Sequence, residues 1–161
     1  MSKLQLCLVV NGRAEEAARF YAATFPDSAV GRVHAAAADF PGGKAGDALV
    51  VEFTLLGQPG FALNHGPPTP FSDAISFQVL TDDQAETDRY WDAIVADGGQ
   101  ARDCGWCKDR FGLSWQITPR ALMAGMADTD RAAAGRVMQA MMTMQKIDIA
   151  AIEAARSGET R

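Results

Sequence analysis

Two stretches decide the fold: LQLCLVVNGRAEEAARFYAATF at Leu4–Phe25 and AISFQVLTDDQAETDRYWDAIV at Ala74–Val95. Set over each other without a gap, 70 residues apart, they place Val9 on Val79, Glu16 on Glu86, Arg19 on Arg89 and Ala23 on Ala93. Phe20-Tyr21 falls on Tyr90-Trp91. A match of this kind marks a duplicated supersecondary unit. Each copy starts with a strand-like run, crosses a polar turn and enters an amphipathic helix. Ala14, Ala17, Ala18, Phe20, Tyr21 and Phe25 recur at helical spacing in the first copy, and Tyr90, Trp91, Ile94 and Val95 in the second. Gly98-Gly99 predicts the end of the second helix.

Working outward, a weaker match sets Gly60-Phe61-Ala62-Leu63-Asn64 over Gly112-Leu113-Ser114-Trp115-Gln116, each read as a strand entered through a glycine. Further strands are expected at Ala29–Ala36 and Leu49–Leu56 in the first copy, with a hairpin turn at Gln58-Pro59-Gly60. In the second copy they are expected near Gln100–Cys104 and Trp106–Asp109. Asp39–Asp47 and His65–Pro70 read as loops, and Gly42-Gly43-Lys44 as a flexible tip. The pattern is βαβββ twice, an α+β fold made by duplication. It divides the chain into a two-module domain at 1–120 (modules 1–70 and 71–120) and a C-terminal helical extension at 121–161. Within the extension Asp128–Met144 predicts a helix with Val137, Met138, Met141 and Met142 on one packed side, and Asp148 the N-cap of a last helix carrying Ile149 and Ile152.

Composition excludes several classes. Lys and Arg number 15 against 20 Asp and Glu, a net charge of −5 without a basic cluster, so no nucleic-acid partner is expected. No apolar run approaches the roughly 18 residues of a membrane span, so no membrane partner is expected either. The N-terminus reads as a strand rather than a leader, and an odd number of cysteines, 3, suits reduced thiols; a cytoplasmic location follows as the expectation.

The duplication, with an aromatic pair in each helix, resembles the vicinal oxygen chelate superfamily of glyoxalase I, extradiol dioxygenases and bleomycin-resistance proteins. The strings NGRAEEAARFYAATFPDS, FALNHGP, DRYWDAI, CGWCKDRFGLSWQITP and RVMQAMMTMQKIDIAAIEAA resemble its PhnB-like branch, labelled "3-demethylubiquinone-9 3-methyltransferase domain". The resemblance implies two sheets curled about a cleft, commonly in a homodimer. In metal-using members of the superfamily, one ligand comes from the first and one from the last strand of each module. Counting along the repeat puts those places at Leu6, Asn64, Ser76 and Gln116, none a carboxylate or imidazole. A slip of one residue brings in Gln5 or Cys7, and His65, with Phe77 and Ile117 at the other two places. Zinc, nickel and ferrous iron need imidazole, thiolate or carboxylate donors. The expectation is therefore a cleft without the usual divalent metal and with no cofactor.

Binding-cleft candidates are Leu6, Asn64, Ser76, Gln78, Gln116 and Trp106; uncharged amides and hydroxyls beside aromatics suit a neutral or anionic small molecule. Catalytic candidates are His65, at a strand end, and Cys104 or Cys107, whose CxxC spacing suits a redox pair or zinc knuckle but is read as two reduced thiols near a turn. Asp109-Arg110 is read as a tight turn with a local ion pair, and Glu52 as an exposed sheet-face charge. The function expected is small-molecule binding. The alternative is an enzyme, either a metal-dependent lyase or dioxygenase, or a methyltransferase as the family label suggests.

Overall fold

The computed structural model describes residues 3–159. Residues 1–2 and 160–161, at the outer ends of the expected first module and helical extension, lie outside them. The chain divides between Pro70 and Phe71 into two compact units.

The first unit runs β1 (Leu6–Val9), α1 (Ala14–Thr24), β2 (Ala29–Ala35), β3 (Ala48–Leu55) and β4 (Gln58–Leu63). Its strands lie in the order β1-β4-β3-β2, with β1 parallel to β4 and the other neighbours antiparallel. The second runs β5 (Ser76–Thr81), α2 (Gln84–Val95), β6 (Gln100–Ala101), β7 (Trp106–Lys108) and β8 (Ser114–Pro119). Its order, β5-β8-β7-β6, is the same topology. The βαβββ repeat and the α+β class are thus both present.

Each helix covers one face of its sheet because its apolar residues recur at three- and four-residue spacing. Ala14, Ala17, Ala18 and Tyr21 are buried in α1, and Thr87, Tyr90, Trp91 and Ile94 in α2. Beneath α1 lie Val51, Phe53, Leu55, Ala62 and Leu8, all buried, with the Tyr21 and Phe53 rings 6.1 Å apart. Under α2 lie Val79, Cys107, Trp115 and Ile117.

The hairpin turn between β3 and β4 is Leu56-Gly57, not Gln58-Pro59-Gly60. Both turn residues have positive φ, 49° and 77°, as a two-residue hairpin of matching twist requires, and Leu55 pairs Gln58. Pro59 is therefore inside β4, one residue before the pairing with β1 begins at Gly60, where a missing N–H costs no ladder bond. The Gly42-Gly43 loop is not a free tip. Phe40 and Gly43 exchange backbone bonds of 3.0 and 3.1 Å, and Lys44 Nζ reaches Asp39 Oδ2 at 2.9 Å.

Beyond β8 the chain forms α3 (Arg120–Met126), α4 (Arg131–Met141) and α5 (Ile149–Ser157). The expected helix at Asp128–Met144 is shorter, because the Asp130 side chain caps it by accepting from Ala132 N. Asp148 caps α5 as expected, accepting from Ala151 N at 3.0 Å. The methionine stripe divides: Val137 is fully buried with Leu122, Ile147 and Ile152, and Met141 packs against them. Met138 and Met142, by contrast, are 46% and 52% exposed. The helices dock within the second unit through the segment before α5. Met144 and Gln145 carbonyls accept from Cys104 and Gly105 N, and the Gln84 amide of α2 bonds both Ile147 O and Ile149 N.

Candidate functional site

Paired residues on neighbouring strands share a face, so register and burial together assign every strand side chain to the helix side or the opposite one. In the second sheet Phe77, Val79, Trp115, Ile117 and Cys107 face α2. Ser76, Gln78, Ser114, Gln116, Trp106 and Lys108 lie on the other face, through the pairs Ser76↔Ser114↔Lys108 and Gln78↔Gln116↔Trp106. Four of the six expected cleft residues, Ser76, Gln78, Gln116 and Trp106, therefore share one surface.

That surface is hydrogen-bonded across strands. Gln116 Nε2 donates to Ser76 Oγ at 2.9 Å, and Gln78 Nε2 reaches Thr118 Oγ1 at 3.3 Å and Gln116 Oε1 at 3.5 Å. The amides are thereby held in place with part of their donor and acceptor capacity directed outward. On its β6–β7 side the surface borders a hollow of about 620 Å³ lined by Asp73, Arg102, Asp103, Cys104, Trp106 and Gln145 among others. Asp73 Oδ1 lies 2.9 Å from Arg102 Nη1, 2.9 Å from Lys108 Nζ and 2.9 Å from Ser114 Oγ. These donors hold its carboxyl at about 2, with Lys108 contributing most. Arg102, Lys108, Asp73 and Thr118 were not singled out from the sequence. Arg102, Trp106 and Lys108 do keep even spacing, but β6 is two residues long and Asp73 sits in a connecting segment, so no strand pattern announced them.

Leu6 and Asn64 belong elsewhere. Leu6 pairs with Gly60, which pairs with Phe53, so Leu6 faces α1. The gap-free repeat is therefore out by one residue in the strand. Three residues, Asn11, Gly12 and Arg13, separate the buried Val10 from α1, whereas two, Asp82 and Asp83, separate the buried Thr81 from α2. Asn11 and Gly12 absorb the extra residue with φ of 40° and 83°. Asn64 follows β4, is 9% exposed, and accepts from Gly12 N at 2.7 Å and Ala14 N at 3.1 Å while donating to Ala48 O at 2.9 Å. It caps α1 from a distance.

Gly60 and Gly112 are not equivalents either. A Cβ at Gly60 would meet the Phe53 ring at 2.8 Å, whereas Gly112 is needed for a turn with φ of 87°. That turn is organised by Asp109, which is 2% exposed. Its Oδ1 accepts from Phe111 N and Leu113 N, and its Oδ2 from Trp115 Nε1 at 2.9 Å. Arg110 Nη2 reaches Asp97 at 3.2 Å.

On the first sheet the face away from α1 carries Cys7, Phe61, Glu52 and Val50 in register. Glu52 is exposed, as expected, and lies 2.7 Å from His34 Nε2, which lowers its pKa. A hollow of about 350 Å³ on this face is lined by Gln5, Val50, Glu52, Thr54 and Phe61 among others. His65 lies exposed in the loop after β4. Cys104 is half-buried in a turn with φ of 61°, and Cys107 is buried in β7, where desolvation pushes its thiol up to about 12. A thiol so held is a poor nucleophile.

Among the described residues no group of three or more His, Cys, Asp or Glu is placed to hold a metal ion. Leu6 and Asn64 face the helix, while Ser76 and Gln116 bond each other. The counted positions do not fit a transition metal. The Gly42-Gly43 loop is closely packed: a Cβ at either glycine would meet Gly66 backbone, Asp47 or the Phe40 ring within 3.0 Å.

Two βαβββ units of one topology, followed by docked helices, define a duplicated α+β protein. The family model described as 3-demethylubiquinone-9 3-methyltransferase matches residues 2–118, and the chain belongs to that family. Among solved structures it is similar to a putative 3-demethylubiquinone-9 3-methyltransferase, PhnB protein, from Bacillus cereus. That similarity is 27% identity with a TM-score of 0.65, covering 73% of this chain and 99% of that one. It shares its fold with protein PA1353 from Pseudomonas aeruginosa, at 22% identity and TM-score 0.53 over 73% of this chain and 98% of that one. No curated protein matches the chain. Among the described residues no helix is long and apolar enough to cross a membrane.

Proposed function

We propose that this PhnB-like protein is a cytoplasmic, homodimeric member of the vicinal oxygen chelate superfamily that binds a small organic molecule without a metal. The observation that carries the reading is the face of the second sheet away from α2, where Ser76, Gln78, Gln116 and Thr118 form a cross-strand polar set beside Trp106. Amides and hydroxyls held in place and flanked by an indole suit hydrogen bonding to a ligand that also has apolar surface. The duplicated topology supports the superfamily assignment, and three free cysteines support a reducing compartment.

A thermal-shift screen of small neutral and anionic organic molecules, run beside Ni²⁺, Zn²⁺, Mn²⁺ and Fe²⁺, tests the proposal. The expected outcome is a ligand-dependent rise in Tm that Gln116→Ala abolishes, with no comparable rise from any metal. A stoichiometric bound ion, or a large metal-dependent rise, overturns it.

A further inference from the structure

The polar set occupies one end of this face. The other end carries two permanent cations. Arg102 N donates to Trp106 O, extending the β6–β7 pairing by one step. Gln100 pairs Lys108 and Ala101 pairs Cys107, so Arg102 falls on the same side as Lys108, Trp106 and Gln116. Two cross-strand rows result: Ser76, Ser114, Lys108 and Gln78, Gln116, Trp106, the second leading on to Arg102.

Three donors from separate elements converge on one point. The Arg102 guanidinium, the Lys108 ammonium and the Ser114 hydroxyl each lie 2.9 Å from Asp73 Oδ1. Arg102 comes from the β6–β7 turn, Lys108 from β7 and Ser114 from β8, so the sheet builds the arrangement whatever fills it. At that point two positive charges, Arg102 and Lys108, meet one carboxylate, while a second carboxylate, Asp103, lines the adjoining hollow. The first carboxylate is supplied by Asp73, in the segment before β5, with its side chain 49% exposed. Ion pairs this open to water exchange at low cost. The hollow beside it, about 620 Å³, has room for a small organic molecule and includes Trp106 and Gln145 in its lining.

We propose that Arg102, Lys108 and Ser114 form the carboxylate-holding end of the binding surface, and that a small organic acid places its carboxylate there in exchange for Asp73. Its planar or apolar body lies along Trp106 toward Gln116. The present occupant identifies the chemistry: one oxygen of a carboxylate already satisfies all three donors. This inference rests on the small-molecule reading above and narrows it to acids. Asp73 acts as an internal competitor. Because its carboxyl titrates at about 2, protonation does not release it near neutrality, so a competing anion has to.

The test uses the full chain, with benzoate as the acid and benzamide as its uncharged isostere, titrated while the Trp106 indole and Gln116 amide signals are followed by NMR. Benzoate is expected to bind about tenfold more tightly than benzamide, the ratio that one charge-assisted contact gives. Asp73→Asn is expected to tighten benzoate binding about fivefold or more, and Arg102→Gln to weaken it about tenfold. Equal affinity for the two probes overturns the inference. So does an unchanged benzoate affinity in Asp73→Asn or in Arg102→Gln, or the absence of benzoate binding from both wild type and Asp73→Asn. Gln116→Ala separates the two readings. Benzoate binding that survives it but falls with Arg102→Gln keeps the acid site and removes the polar-face reading. Equal binding of both probes that disappears with it does the reverse.

Discussion

The two units solve the start of their helix differently. In the second unit the solution is local: the Asp83 side chain, at the N-cap of α2, accepts from Glu86 N at 2.8 Å. In the first unit the N-cap position is Arg13, whose side chain makes no capping bond. The exposed donors are satisfied by Asn64, about fifty positions further on, at the end of β4. A local cap is available to the chain as soon as the helix forms. One borrowed from β4 exists only when β1, α1 and β4 are assembled, so the start of α1 and the end of its sheet depend on each other.

Substitution of the two caps gives the largest effect. Asn64→Ala removes an acceptor from two backbone donors and a donor from Ala48 O inside a nearly buried site, and should cost about 2–3 kcal/mol of unfolding free energy. Asp83→Ala should cost about 1 kcal/mol, the usual value of one exposed cap. Urea unfolding of both variants checks the ratio. Equal losses would show that the remote cap is no more deeply built into its unit than the local one.

The same comparison extends to the first strands. Leu6 faces α1 and Cys7 faces the other way, one residue out of step with the second unit. Leu6→Ser should therefore destabilise by about 1 kcal/mol through lost apolar burial. Cys7→Ser, on an exposed position, should stay within about 0.5 kcal/mol. The reverse order in thermal unfolding would restore the gap-free alignment of the two repeats.

These two residues also show what the sequence could and could not convey. The repeat was legible because helix periodicity and the aromatic pairs survive in both copies, and the fold follows from them. Strand orientation was not, because one extra residue in the Asn11-Gly12-Arg13 connection inverts every side chain of β1 while leaving the helices aligned. That Ser76, Gln78 and Gln116 share a face, with Trp106 paired to Gln116, follows from alternation and register within the second unit. Asn64 is an amide near a strand end, a pattern that suggests a cleft residue as readily as a remote cap. Its actual partners, Gly12 N and Ala14 N, are backbone groups that carry no sequence signal. Asp73 and its cations carry no joint sequence signal because they come from a connecting segment, the turn after a two-residue edge strand and an inner strand, brought together only by the fold.

The smallest effect sharpens the contrast between the two sheet faces. Each carries a carboxylate with a lowered pKa: Glu52, whose main cause is a hydrogen bond to His34, and Asp73, held by Lys108, Ser114 and Arg102 to about 2. A carboxyl depressed in the folded state stabilises it above the unfolded value, near 3.9 for aspartate, and loses that contribution as pH falls through the folded value. For Asp73 the window runs from roughly pH 4 down to about 2. Asp73→Asn should make the acid limb of a Tm-against-pH curve shallower there, while other paired carboxylates such as Asp39, Asp88 and Asp128 keep the rest of the slope. Glu52→Gln should flatten it less, because that group is held by His34 and, more weakly, by Arg32 rather than by three converging side-chain donors. Equal flattening by the two variants would mean that water screens the Asp73 cluster as fully as it screens the His34 pair, and that the donors around Asp73 hold an anion no better than an ordinary surface contact does.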